Sequence, residues 1–337
     1  MLELSTLEKY DSLRMYQVYD KWPELALKAY ESNVDAVEWK DIEHIVFAGM
    51  GGSGIIGDIF SAIFSKTDIH VSIVKGYHLP NTVNSNTLVV ATSVSGDTIE
   101  TLSVLDSAKK LDTKIVGFSG GGRLEEFCKK HSIDHQKIPL LHSPRTSLTA
   151  YLYTILNVLM PILPLTKADI TESITKLEDI KKQISFFNLT ESNPSLSLAA
   201  WIKGIPLIYY PYGLQAAAIR FKNSLQENAK IHAIAEDVIE TSHNGIVSWE
   251  RPSDVQPVLL QGRDDYVKTK ERWEILKEYF KENNIECKEV HSITGNIFSK
   301  IINLIYLLDY STIYLAVMSK TDPSPVRSID YVKNKLK

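Results

Sequence analysis

The feature that most constrains this chain is an alternation. Short apolar runs recur, each followed by a turn rich in glycine or hydroxyl residues and then by a longer helical pattern. His44-Ile-Val-Phe-Ala48 is the first such run. A strand that is apolar along its whole length, rather than at every second position, has both faces covered. That pattern marks a parallel sheet packed between helices. In the N-terminal half the pattern predicts strands at His44–Ala48, Val71–Val74, Thr87–Ala91 and Lys114–Phe118, with helices over about 55–64, on to Leu111, and after Gly120-Gly-Gly122 to Lys130. The C-terminal half repeats the grammar. Strands are predicted at Ile205–Tyr210, Gln256–Leu260 and Glu286–His291. Helices are predicted from Gly213 to Ala229, Lys268 to Asn283 and Phe298 to Ser319, and a last amphipathic segment covers Val326–Leu336. The polar, helical span from Thr166 to Pro194 bridges the halves. The expected fold is therefore α/β: two tandem doubly wound parallel-sheet domains, each an αβα sandwich, at 1–150 and 196–337 with a helical connection at 151–195.

Composition narrows the function classes. With 337 residues, 44% of them hydrophobic, the chain can bury large cores, and neither disorder nor a disulfide-stapled mini-fold describes it. Thirty-seven basic residues against 41 acidic ones give a net charge of −4, no electrostatic footprint for nucleic acid. The two cysteines, Cys128 and Cys287, stand far apart in the sequence and are expected to be buried thiols in a reducing compartment. The run from Tyr151 to Leu165 is too short for a bilayer span and is interrupted by Pro161 and Pro164, so it reads as a buried helix. The first 21 residues lack an apolar signal core, and a soluble cytoplasmic protein without membrane partners is expected.

Two loops carry the chemistry. Gly49-Met-Gly-Gly-Ser-Gly54 joins a strand to a helix, where glycines admit an anion to backbone N–H groups and the helix terminus adds partial positive charge. The Rossmann spacing is met numerically by Gly49, Gly51 and Gly54, but Asp68 does not stand at the tip of a second strand, and no Lys-Ser/Thr follows as in a nucleotide P-loop. Sugar phosphate, dinucleotide and a plain tight turn all remain open for this loop. The second, Thr92-Ser-Val-Ser-Gly-Asp-Thr-Ile-Glu-Thr101, packs five hydroxyls into ten residues, more than helix capping needs. Hydroxyls and helix N–H groups together can wrap a phosphate without a lysine. Asp97 is awkward there and reads as a turn or cap residue pointing away. Arg145 in His142-Ser-Pro-Arg-Thr146, Glu227 at a polar helix end and His243 in a polar turn are, each taken alone, better read as structural.

Taken together the segments resemble the archaeal-type bifunctional phosphoglucose/phosphomannose isomerases of the sugar isomerase (SIS-domain) superfamily. The resemblance runs in ordered blocks: GMGGSG at 49–54, SVSGDTIET at 93–101, SPR at 143–145, ENAK at 227–230, HN at 243–244, and TDPSPV at 321–326 followed by Lys333. It implies a metal-independent, cofactor-free aldose–ketose isomerase that interconverts glucose 6-phosphate or mannose 6-phosphate with fructose 6-phosphate through an enediol. Gly52, Ser53, Ser93, Ser95 and Thr98 would hold the substrate phosphate. Glu227 would be the base between C1 and C2, Arg145 would stabilise the enediolate, and Lys333 would lie near O1. His243, supplied by the partner subunit of a homodimer, would assist ring opening. The chain departs from the family at Val94, Asp97 and Gly245, where an aromatic residue, Asn and Glu are common. Two other classes compete: a non-catalytic phosphosugar-binding protein and a nicotinamide enzyme using the glycine loop. Another sugar phosphate also remains possible as substrate.

Overall fold

In the computed structural model, which describes residues 2–34 and 39–336, the chain opens with three helices, α1 (Leu4–Tyr10), α2 (Met15–Asp20) and α3 (Trp22–Tyr30). There follow β1 (His44–Ala48), α4 (Gly52–Phe64), β2 (His70–Val74), β3 (Thr87–Ser93), α5 (Ile99–Lys110), β4 (Lys114–Ser119), α6 (Gly122–His131), β5 (Asp134–Lys137), α7 (Leu148–Leu159) and α8 (Lys167–Ile184). The remainder runs α9 (Pro194–Trp201), β6 (Ile205–Tyr210), α10 (Gln215–Ser224), β7 (Ile234–Asp237), α11 (Val238–Thr241), β8 (Val255–Gln261), α12 (Val267–Glu282), β9 (Lys288–His291), α13 (Ile297–Met318) and α14 (Arg327–Lys335).

Two compact units result. One is Lys21–Glu178 with Asn296–Ser299, and the other is Met1–Asp20 with Asp179–Gly295 and Lys300–Lys337. These are not the expected ranges 1–150, 151–195 and 196–337. Residues 151–178 belong with the first sheet, and the N-terminal helices α1 and α2 with the second. Buried polar contacts tie α2 and the end of α8 to α13. Tyr306, Tyr310 and Tyr314 stand one turn apart on α13. Their hydroxyls donate to Tyr19 O (2.7 Å), Asp20 Oδ1 (2.5 Å) and Ile184 O (2.7 Å) respectively. Removal from water pushes the Tyr310 and Tyr314 phenols well above their ordinary range, so both remain donors.

Each sheet is wholly parallel. The first has the order β2-β1-β3-β4-β5 and the second β7-β6-β8-β9. All five residues of β1 and all seven of β3 are buried, as a sheet covered on both faces requires. The edge strands β5 and β7 are polar, Asp-His-Gln-Lys and Ile-Ala-Glu-Asp, and neither is apolar enough to be foreseen. In both sheets the strand order reverses beside the first strand, between β1 and β3 and between β6 and β8. Open α/β sheets bind ligands at the carboxyl ends of strands at such a reversal.

In the second unit α13 is long and apolar enough to cross a bilayer, but 94% of its most apolar window is buried within the protein. It faces α10 through a stripe of buried polar groups. Arg220 Nε and Nη2 donate to Asp309 at 3.0 and 2.6 Å, Ser224 Oγ donates to Asp309 Oδ1 at 2.6 Å, and Asn228 Nδ2 donates to Thr312 Oγ1 at 2.8 Å. Cys128 is fully buried and its thiol is pushed up to about 12 by desolvation; Cys287 is half-buried, so only one of the two expected buried thiols is fully enclosed. Breaking a buried ion pair from one side leaves a desolvated charge, so Asp309→Ala is expected to lower the unfolding free energy by about 3–5 kcal/mol. Urea denaturation measures this. Adding Arg220→Met to that variant is expected to recover much of the loss.

Candidate active site

The first loop leaves β1 at Gly49 and enters α4 at Gly52. A Cβ on Gly49 would sit 2.9 Å from Ser53 Cβ and 3.0 Å from Thr92 O, so only glycine lets this turn lie against the end of β3. Gly51 has φ +53°, a left-handed conformation that favours glycine. Gly52 and Ser53 form the first turn of α4 and are half-buried. Amides in such a turn lack intrahelical acceptors, and the helix places partial positive charge there.

The second loop leaves β3, the neighbour of β1, and enters α5 at Ile99. Ser93 is buried, Ser95 exposed and Thr98 half-buried. Ser93 Oγ and Thr98 Oγ1 are 2.8 Å apart, and Gly96 N donates to Ser93 Oγ at 3.1 Å. Ser95 Oγ accepts from Asp97 N at 3.2 Å. Thr98 makes no side-chain cap for α5. Asp97 points away from these hydroxyls, as its reading as a cap implied: its Oδ1 accepts from Arg123 N and Nε, both at 3.2 Å, at the start of α6. Val94 is buried. The two loops thus flank the strand-order reversal of the first sheet, one glycine-rich and one hydroxyl-rich, each running into a helix N-terminus. That combination suits a phosphate ester.

In the same unit Arg145 is 4% exposed. Its backbone is fixed by a tight turn: Ser143 N donates to Thr146 Oγ1 at 3.1 Å, Ser147 Oγ donates to Ser143 O at 3.0 Å, and Trp22 Nε1 donates to Thr146 O at 2.9 Å.

In the second unit Glu227 is half-buried on a π-helical turn, Leu225–Ala229, that extends α10. The expected helix from Gly213 to Ala229 is therefore α10 plus this wider turn, which closes with Lys230 in the left-handed conformation and its N–H on Leu225 O. Such turns re-aim side chains and recur at functional positions. Lys230 Nζ donates to Glu227 O and, at 3.1 Å, to Pro323 O, which brings the ENAK and TDPSPV segments together. His243 is exposed and follows α11, whose cap Asp237 accepts from Ile239 N at 2.8 Å. Glu227 precedes β7 and lies toward the amino ends of the second sheet, whereas His243 follows β7 and lies toward its carboxyl ends. A Cβ on Gly245 would stand 2.9 Å from Glu236 Oε2, so a larger residue there would displace that carboxylate. Lys333 is exposed on α14, a helix with no buried residue.

The first unit thus carries a buried guanidinium and a pair of loops suited to an anion, and the second carries a half-buried carboxylate on a π turn. Comparison with known proteins gives the family. Residues 191–336 match the bacterial phospho-glucose isomerase C-terminal SIS domain, and residues 40–151 match the SIS domain. A bifunctional phosphoglucose/phosphomannose isomerase of Caldicellulosiruptor bescii is 33% identical over 335 residues, covering 96% of this chain and 98% of that protein. The same enzyme of Thermoplasma acidophilum is 31% identical, over 87% and 89% of the two chains. A hypothetical protein of Thermus thermophilus of known structure superposes with a TM-score of 0.70 at 15% identity, over 99% of this chain and 89% of that one, and so shares the fold.

Gly96 supplies a test of the loop geometry. It has φ +74°, and a Cβ there would overlap Gly121 O at 1.8 Å. Gly96→Ala is expected to weaken inorganic phosphate binding at least about tenfold and to lower stability by more than about 1 kcal/mol, beyond the ordinary cost of a surface change. Titration calorimetry and thermal melting measure the two effects.

Proposed function

This chain belongs to the bifunctional phosphoglucose/phosphomannose isomerase family, and from that premise we propose how its residues divide the work. The enzyme is an aldose–ketose isomerase that interconverts glucose 6-phosphate or mannose 6-phosphate with fructose 6-phosphate. Gly52, Ser53, Ser93, Ser95 and Thr98 hold the phosphate. Held there, remote from the reacting carbons, the substrate is positioned by binding energy that the chemistry itself does not consume.

Glu227 removes the proton from C2 of the open-chain aldose and returns it to C1. A carboxylate has a lone pair available at neutral pH, and the π turn gives it a fixed place on an otherwise rigid helix. The carbon acid is weak, so the developing enediolate needs a positive charge at hand. Arg145 provides one permanently, because a guanidinium does not deprotonate near neutrality. It does the charge-stabilising work that a metal ion does in a metal-dependent isomerase, and the proposed reaction uses none. Lys333 lies near the O1 end. The π turn carrying Glu227 is the observation that supports this reading most, since widened turns of this kind recur at functional positions.

His243 assists ring opening from the partner subunit of a homodimer. Two features support this. Within one protomer β7 separates it from Glu227, and strands extend by about 3.3 Å per residue. Helix α14 also exposes Ile329, Val332 and Leu336 along one stripe, a face suited to a second copy. The substrate is ionic and is retained inside cells, and we place the enzyme in the cytoplasm.

Glu227→Gln is expected to lower kcat by about 10²–10⁴-fold with KM nearly unchanged; a rise in KM with kcat preserved would make Glu227 a binding residue instead. Activity is expected to survive exhaustive treatment with a chelator. Mixing unfolded-and-refolded Glu227→Gln and His243→Ala protomers is expected to restore about a quarter of wild-type activity, because half the dimers are mixed and each carries one intact site. No restoration would place His243 in the same chain as its Glu227.

A further inference from the structure

The segment 120–124, which opens with a glycine run, has no role in the reading above, yet it touches the hydroxyl loop at positions 94, 96 and 97, between its hydroxyls. Gly120 N donates to Val94 O at 3.1 Å, and Leu124 N donates to Gly96 O at 2.9 Å. Asp97 Oδ1 accepts from Arg123 N and Nε, and Asp97 O accepts from Arg123 Nη2 at 2.9 Å. Residues 94, 96 and 97 are thus tied to the turn after β4 and the first turn of α6, while 93, 95 and 98 carry the hydroxyls. The two loops also meet without side chains, since Gly96 lies against Gly121 O so closely that no Cβ fits.

The bracing loop is itself latched from beneath. Gly121 and Gly122 have φ of +139° and +67°, conformations that favour glycine. Ser119, fully buried at the end of β4, holds the turn by its side chain: Oγ donates to Gly121 O at 2.8 Å and accepts from Gly121 N at 3.2 Å. His135 Nε2 on β5 is 2.8 Å from the same Oγ. A hydroxyl has one hydrogen; with it on Gly121 O, the tautomer of His135 that completes the network is the one that donates through Nε2–H. The imidazole is half-buried; burial lowers its pKa, which keeps the ring neutral, while Glu125 raises it and Lys129 and Lys137 lower it.

We propose that Ser119 and His135 are positioning residues for phosphate binding: through Gly121 they hold the loop that fixes the spacing of Ser93, Ser95 and Thr98. The proposal rests on the assignment of those hydroxyls to the substrate phosphate.

Initial-rate assays with fructose 6-phosphate, and with inorganic phosphate as competitive inhibitor, test it in the full-length enzyme. Ser119→Ala and His135→Ala are expected to raise KM and the phosphate Ki together by about five- to tenfold, the loss of one buried hydrogen bond, with kcat moving less than KM. His135→Gln, whose amide can donate from nearly the same place, is expected to recover most of the loss, a rescue that mere cavity filling would not give. Should Ser119→Ala fail to fold, the two His135 variants decide the matter alone. Unchanged KM and Ki in His135→Ala, with the fold intact by circular dichroism, would overturn the proposal. Ser93→Ala separates this from the reading beneath it. If Ser93→Ala raises the phosphate Ki and the latch variants do not, the bracing role is wrong and the phosphate site stands. If Ser93→Ala has no effect either, the phosphate assignment fails and the proposal with it.

Discussion

Two strands lying side by side set the terms for the first unit. β1 and β3 pair in parallel from His44↔Thr87 to Ala48↔Ala91, and the chain leaves them toward opposite sides of the sheet. Both strands are buried throughout, so their ends admit no variation in height or register. Two helix N-termini are thereby brought next to each other, and the residues between strand and helix must be small or hydroxylic to share the space. Gly49 and Gly96 meet this demand sterically, Ser93 and Thr98 chemically. An anion placed there faces amides and hydroxyls without any lysine having to be supplied.

The second unit solves a different problem: it holds one carboxylate still. Arg220 and Ser224 on α10, with Asn228 on the π turn beyond it, meet Asp309 and Thr312 on α13, all buried and hydrogen-bonded. A polar seam of this kind contributes little net stability compared with an apolar one, but it admits only one register between two helices. Asn228 lies within the π turn and holds it to α13, and Lys230 ties its end to Pro323. The position of Glu227 thus depends on contacts made by its neighbours. The tyrosines of α13 extend the seam to the N-terminal helices, so the first twenty residues act as part of the frame for this turn.

What was legible in the sequence follows from burial. The ranges of β1 and β6 are read correctly because each is an unbroken apolar run, and the central strands β3 and β4 are read to within two residues. β5 and β7 are polar edge strands whose pairing comes from their neighbours, not from their own composition. The π turn left no local signal, since Asn223 to Lys230 reads simply as a polar helix end. The N-terminal helices join the second unit through Tyr19 and Asp20, and nothing near those residues names partners some 290 positions away. The role of Asp97 could be half read: its unsuitability beside an anion suggested a cap, and it caps α6, a helix beyond the next strand. The glycine run at 120–122 was visible as a motif, but its use as a brace depends on β4 lying beside β3.

Dual specificity requires little more than this frame. The enediol is planar at C2 and has lost the configuration that distinguishes glucose from mannose, so one intermediate can return to either aldose if a proton reaches both faces. The direct test is to run the enzyme on fructose 6-phosphate in deuterium oxide and read the recovered aldose phosphates by NMR. A shared enediolate protonated by an exchanging carboxylic acid predicts deuterium at C2 of both the glucose and the mannose ester. Formation of both esters with the original hydrogen fully retained would contradict protonation by an exchanging acid, since the hydrogen would then have passed from C1 to C2 without reaching solvent.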